Sequence, residues 1–383
     1  MKIPEHKMHK ETKCAHIGTA IDTITRGVNT PIFPSTAHEY LDSDVSAYPR
    51  HFNTLNQKVI EQKISQLEGA QESIIFSSGM AAISTVLLTF LKPGDHIVLQ
   101  DEIYGGSHVF AEIFFKKFDI SFTFVATNPK SIKKAIRPET KLIFIESPTN
   151  PLLSIINIQE VAKIAKKRNC LTVIDNTFAT PIFQNPIAHG IDVVVHSGTK
   201  YLGGHSDLSC GAVATSSDLA KKIRKTAVNF GGNINPLTCY LLERSLKTLS
   251  IRVNKQAKNA LKIAKYLQKQ TQIKKVYYPG LTESPGHEVA KNQMSGFGAM
   301  LAFELKDSNQ ATDIFMKRLK LIIPAISLGG IETTICSPAT TSHKNVLPKT
   351  RERLGISKGL LRLSVGIENL KDLINDIDQA LKN

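Results

Sequence analysis

The chain has 383 residues, is 42% hydrophobic and carries a formal net charge of +15, which gives enough apolar residues for two cores and no reason to expect disorder. No apolar run reaches the roughly 18 residues of a membrane-spanning helix, and the polar start from Met1 to Lys13 is unlike a secretory leader, so a cytoplasmic protein is expected. The five scattered cysteines, Cys14, Cys170, Cys210, Cys239 and Cys336, form no Cys-x-x-Cys pair and have no histidine at metal-ligand spacing, which excludes a disulfide framework and a zinc site from the expectation.

The first 52 residues read as an N-terminal arm. From about Asn56 to Ser250, helical patterns alternate with short apolar runs at Ser73 to Phe76, His96 to Gln100, Ser121 to Val125, Lys141 to Ile145, Leu171 to Ile174, Val193 to His196 and Gly211 to Ala214. Such alternation predicts an α/β domain over 53–250, with a mostly parallel sheet covered by helices on both faces.

Beyond Ser250 the pattern changes. In a predicted helix from Asn254 to Gln270, Ala257, Ala260, Leu261, Ala264 and Leu267 follow helical spacing, while Lys255, Lys258, Lys262, Lys265 and Lys269 fall elsewhere. That is a solvated lysine face on an amphipathic helix. It accounts for much of the positive charge without nucleic acid, since such runs usually only solvate a face and no aromatic stacking platform stands beside this one. Apolar runs at Ala299 to Leu305, Leu321 to Ile323 and Leu361 to Val365, then a helical pattern near Leu370 to Leu381, predict a smaller α+β domain over 251–383.

Several runs of the first domain end in polar or glycine-rich residues, the kind of strand end at which ligands bind in open α/β sheets. Asp175 and Lys200 each follow a predicted buried strand and so share one rim. A pyridoxal 5′-phosphate (PLP) enzyme needs a lysine amine to bond the cofactor and a carboxylate to keep its ring nitrogen protonated. Most lysines after a strand are surface residues, but Ser197 and Thr199 place two hydroxyls before Lys200, and Gly203 and Gly204 follow it. Ser77-Ser78-Gly79-Met80 ends one strand and opens a helix whose free amides suit a phosphate.

With these residues, and with the blocks Tyr104-Gly105-Gly106, Glu146 to Pro151, Asp175-Asn176-Thr177, Ser197 to Asp207, Ser327 to Glu332 and Leu361 to Gly366, nearly the whole chain resembles the Cys/Met metabolism PLP-dependent family. The resemblance implies the PLP-dependent transferase fold of the aspartate-aminotransferase type (fold type I) and a set of roles. Lys200 would bond the cofactor and carry protons, Asp175 would pair the ring nitrogen, Tyr104 would stack on the ring and Thr177 would support Asp175. Ser78, Gly79, Met80, Ser197 and Thr199 would bind the phosphate; Asn150, Ser327 and Arg362 would hold the substrate α-carboxylate. The family also draws phosphate ligands from a neighbouring subunit, here matched by Tyr48 and Arg50, which implies a dimer or a homotetramer of paired dimers. Asn53-Thr54-Leu55 departs from the family's usual Asn-Pro-Thr.

The expected reaction is cleavage or formation of a bond at the β or γ carbon of a small sulfur amino acid. Methionine γ-lyases of the family tend to carry a cysteine where Gly106 stands, and many γ-branch enzymes an arginine where Val109 stands. Glu332 could meet the distal ammonium of cystathionine. The preferred reading is cystathionine β-elimination to homocysteine, pyruvate and ammonia; γ-lyase, γ-synthase and sulfhydrylase activities stay open. A non-catalytic basic binding protein would require a broken lysine, aspartate or phosphate cradle, and all three are intact.

Overall fold

The computed structural model describes residues 8–42, 47–306, 310–344 and 346–382; Met1 to Lys7, the first part of the polar start of the arm, lie outside the described residues. Seven strands, β1 (Glu72–Phe76), β2 (His96–Gln100), β3 (Ser121–Val125), β4 (Thr140–Glu146), β5 (Leu171–Asp175), β6 (Val193–Ser197) and β7 (Gly211–Thr215), form one sheet in the order β1-β7-β6-β5-β4-β2-β3. The strands from β6 to β3 in that order pair in parallel, whereas β7 runs antiparallel to both of its neighbours.

The central strands are continuous apolar runs, as expected for a sheet buried on both faces. Alternate side chains point to opposite faces, and two cores result. Ile174 and Val194 pack into one core with Ile60 and Ile64 of the Leu55–Glu68 helix. Val173, Val193 and Val195 pack into the other with Ile83 and Val86 of the Gly79–Phe90 helix.

A second sheet takes the order β10-β11-β12-β9-β8, built from β8 (Ile273–Tyr277), β9 (Met300–Leu305), β10 (Ile323–Pro324), β11 (Thr334–Cys336) and β12 (Leu360–Ser364). Leu361 and Leu363 of β12 pack under the helices Leu249–Leu267 and Leu370–Lys382 in a third core. The run Leu321 to Ile323 contributes only the start of the two-residue strand β10, and both Leu321 and Ile323 are exposed. The five lysines assigned to the solvated helix face are all exposed. All five cysteines are buried and unpaired. Among the described residues, no helix is long and apolar enough to cross a membrane.

The departure at Asn53 to Leu55 has a clear path. Phe52 adopts a left-handed conformation (φ 56°) and the Leu55–Glu68 helix starts directly afterwards. The Thr54 amide donates to Gln57 Oε1 at 3.1 Å and the Asn53 side chain accepts from the Tyr48 amide at 2.8 Å. A side-chain capping interaction thus fixes the helix start without proline.

Candidate active site

Strand register gathers the site. Gly211 at the start of β7 pairs with Phe76, the last residue of β1, and with Ser197, the last residue of β6. The Ser77-Ser78-Gly79 turn therefore emerges beside Ser197. One strand further, Val195 pairs with Asp175, and Asp175 pairs with Glu146. The carboxyl ends of β4, β5, β6 and β1 thus form one rim, where open α/β sheets bind ligands.

The rim borders a cleft of about 530 Å³ lined by Ser78, Gly79, Met80, Tyr104, Asn150, Asp175, Thr177, Ser197, Thr199, Lys200, Ser327 and Arg362. Glycine is required where the rim is tightest. A Cβ on Gly211 would fall 2.1 Å from the Ser78 carbonyl oxygen, and one on Gly79 would fall 2.9 Å from Ser197 Cβ. Ser78 caps the Gly79–Phe90 helix by accepting from the Ala81 amide at 3.0 Å, which leaves the first amides of that helix free of intrahelical partners.

Asp175 is buried, and its Oδ1 accepts from the Thr177 amide at 2.9 Å. Thr177 Oγ1 in turn accepts from the Ser197 amide at 2.8 Å, joining β5 to β6. Burial pushes the Asp175 carboxyl above its ordinary range, against Thr177 and His196, which hold it down. Glu146 accepts from the Tyr104 amide at 2.8 Å and the Asn150 amide at 2.9 Å. Burial, aided by the Asp175 charge, raises it well above the usual carboxylate range.

Lys200 Nζ donates to Ser327 Oγ at 2.7 Å. Burial, with the Arg362 charge opposing a second cation, lowers the Lys200 amine to about 8. Its turn is anchored from behind by buried Arg252, which donates to the carbonyls of Tyr201 at 2.9 Å and Ser245 at 2.9 Å. Gly204 passes so close to that guanidinium, at φ 70°, that a Cβ would overlap it.

Arg362 comes from the small sheet. Its neighbours Leu361 and Leu363 face the third core, so Arg362 faces the large sheet. It donates to Asn150 Oδ1 at 2.8 Å and to the Ser327 carbonyl at 3.2 Å. Tyr104 is 40% exposed at the cleft, with its ring folded over Gly106, where a Cβ would fall 2.5 Å from Tyr104 Cε1. Gly106 and Val109 both line the cleft. A larger residue at 106 would have to displace the ring.

Twelve of the fifteen residues marked out from the sequence thus meet in one cleft. Tyr48, Arg50 and Glu332 do not line it. The Arg50 guanidinium donates to the Val228 carbonyl at 2.9 Å and lies 5.8 Å from the centre of the Tyr48 ring. Glu332 is exposed beyond the Gly330 turn and outside the cleft. Sequence reasoning missed the wall formed by Ile326, Thr341, Ser342 and Val346, as well as His343, which is buried and holds the Ser342 hydroxyl at 3.0 Å from its Nδ1.

A family model described as Cys/Met metabolism PLP-dependent enzyme matches residues 11–382. The chain belongs to that family. It is 42% identical over 377 residues to a cystathionine beta-lyase of Lactococcus lactis subsp. cremoris strain MG1363, covering 97% of this chain and 98% of that one. It is 41% identical to a cystathionine gamma-lyase of Bacillus subtilis strain 168, covering 98% of this chain and all of the relative. A crystal structure of cystathionine gamma synthase from Xanthomonas oryzae pv. oryzae, in complex with aminoacrylate and cysteine, superposes with a TM-score of 0.94 at 37% identity, with 98% of each chain covered.

The protein is accordingly a PLP-dependent enzyme of the carbon–sulfur lyase group. The residues present fit the cofactor: a lysine amine at the cleft, a buried carboxylate with one oxygen already oriented, and a glycine-tight turn with free helix amides beside Ser197.

Proposed function

We propose that the enzyme cleaves cystathionine by β-elimination, giving homocysteine, pyruvate and ammonia with consumption of water. The observation that carries the reading is the meeting of Lys200 and Arg362 on Ser327, beside Asp175. It puts a proton carrier next to a carboxylate anchor.

PLP, when bound through Lys200, supplies the electron sink for the α-carbon. Asp175 would pair its ring nitrogen, and the Gly79 and Met80 amides with the Ser197 hydroxyl would take its phosphate. Tyr104, which lines the cleft, would pack against the cofactor, and Thr177 braces Asp175. The Arg362 fork binds the substrate α-carboxylate bidentately, in a geometry lysine cannot match. Asn150, whose Oδ1 accepts from Arg362, fixes that fork. Lys200 then removes the Cα proton. An amine lowered to about 8 is neutral in a useful fraction near neutral pH, unlike one near 10.5. Ser327 Oγ holds the amine on the substrate side of the cleft.

Preference for the β carbon rests on the beta-lyase names of close relatives and on Gly106 and Val109 in the cleft wall. Glu332, exposed outside the cleft, gives this choice no support. The arm supports a homotetramer: Ile24, Val28, Tyr40 and Leu41 are each more than 70% exposed, an apolar surface suited to a second copy. Tyr48 and Arg50 then serve that copy's phosphate site. Free, buried cysteines suit a reducing cytoplasm.

The test is to give cystathionine to the PLP-loaded protein and assay pyruvate and 2-oxobutyrate separately. Pyruvate is expected. 2-Oxobutyrate would reassign the enzyme to γ-cleavage, and neither product would point to a synthase that needs an activated homoserine.

A further inference from the structure

Glu68 ends the Leu55–Glu68 helix, and His196 is the last residue but one of β6. Their side chains are 0% and 1% exposed, and His196 Nε2 lies 2.6 Å from Glu68 Oε1. Neither lines the cleft. Taking two charges out of water costs several kcal/mol per ion, and a well-packed apolar pair commonly serves stability as well. Stability alone therefore gives little reason for a buried carboxyl–imidazole pair here.

The pair sits directly behind the rim. Val193 and Val195 face one core and Val194 the other, so His196 projects from the face opposite Val195 and its neighbour Asp175. Asn176, the residue after Asp175, also reaches the far face. It donates through Nδ2 to Glu68 Oε1 at 2.9 Å, and its amide donates to the Val195 carbonyl at 3.0 Å. Gln184 Nε2 donates to Asn176 Oδ1 at 2.9 Å and to the Ser147 carbonyl at 2.8 Å. Glu68 thus grips the chain one residue beyond Asp175 while also holding His196.

We propose that Glu68 and His196 are a positioning pair that acts through the sheet on Asp175, keeping its carboxylate charged and fixed for the cofactor's ring nitrogen. This rests on the reading that Asp175 pairs that nitrogen. Glu68 Oε1 meets His196 Nε2 at 2.6 Å, and that imidazole stands behind Asp175 on the opposite face of the sheet. Burial drives Asp175 toward its neutral form; besides its bonds to Thr177, His196 is the charge that opposes this. The other charged groups nearby do not replace it. Glu146 on β4 is acidic and is itself held above its usual range. Lys10 packs near Glu68 but is engaged by the carbonyls of Pro181 at 2.6 Å and Ile182 at 2.9 Å.

The test compares PLP dissociation constants of the wild type, Glu68→Gln, His196→Asn and Asp175→Asn chains across the mildly acidic range. Glutamine keeps the shape and an acceptor oxygen but removes the carboxylate charge from the pair. The expected result for Glu68→Gln and His196→Asn is that the pH below which PLP binding weakens moves up by about one unit. Lys200 titrates in every chain, so the difference between curves isolates the pair. The carboxyl carbon resonance of Asp175 in the cofactor-free chains should titrate with the same upward shift.

A merely structural pair would leave both midpoints where the wild type has them, and that result in folded Glu68→Gln, or in folded His196→Asn should the first variant not fold, overturns the proposal. If Asp175→Asn binds PLP as tightly as the wild type at every pH, the role of Asp175 itself is wrong and the pair's role goes with it.

Discussion

The two sheets use similar material to different ends. Both contain apolar strands of about five residues, yet the large sheet brings Glu146, Asp175 and Ser197 to one rim, while the small sheet contributes Arg362 from the middle of β12. Parallel strands all point their carboxyl ends the same way, so successive polar residues arrive together. Antiparallel strands reverse direction at each step, and a side chain reaches the cleft only through the face it occupies. Cofactor chemistry is therefore set by topology, and substrate anchoring by how the two sheets pack.

The sharpest break of that comparison is at the rim. Lys200→Ala removes the one amine at the cleft, and turnover should fall by about 10⁴-fold, the upper range for a lost proton-transfer group. Steady-state assays with PLP supplied in excess check this. A fall of less than tenfold would mean that another group moves the proton.

The next effect lies between the sheets, at His343. Its side chain bonds to the backbone of Ile103 and Asn150, and burial, then the Arg362 charge, holds it down to about 4. The unfolded histidine binds a proton below its ordinary value of about 6.5, and the folded one does not until about 4. Stability from this group is therefore present at neutral pH and is lost as pH falls from about 6.5 through about 4. At about 1.4 kcal/mol per unit this reaches about 3 kcal/mol. Urea melts of wild type and His343→Gln across that range should show a shallower acid limb in the variant.

His343 also shows what the sequence could not reveal. The runs from β1 to β7 were legible because each is a short, uninterrupted apolar stretch ending in polar or glycine residues, and Lys200 and Asp175 followed from their places after such runs. The antiparallel direction of β7 leaves no mark in composition. Strand β8 was missed because Lys274 and Lys275 are exposed on it, and β11 because three residues carry no periodicity. His343, Ser342 and Val346 lie outside any strand and enter the site only through packing. Glu332 misled for the same reason: its nearness to Ser327 in sequence does not survive the turn at Gly329, where φ is 82°.

Arg362→Lys tests the small sheet's single contribution at smaller cost. The charge stays, but the two-pronged grip on Asn150 Oδ1 and the Ser327 carbonyl is lost. Losing hydrogen bonds made by a charged group is worth about 1.5 to 3 kcal/mol, so kcat/KM should drop by about 10- to 100-fold, mainly through KM. PLP affinity should stay near the wild-type value. A parallel loss of PLP would show that Arg362 belongs to the cofactor site, and the division between the sheets would fail.

The smallest effect concerns the ion pair that bridges the two regions outside the cleft. Arg353 donates through both terminal nitrogens to the Asp101 carboxylate, but its side chain is 58% exposed while that of Asp101 is 5% exposed. Water screens such a pair, and ordering a long side chain offsets part of the attraction. Truncating Arg353 alone would also strand a buried carboxylate, so a single variant overstates the bond. A double-mutant cycle on Arg353→Gln and Asp101→Asn removes that bias, and its coupling should be about 0.5 kcal/mol in chemical denaturation. A coupling several times larger would mean that charge, rather than the packing around His343 and Arg362, holds the two sheets in register across the site.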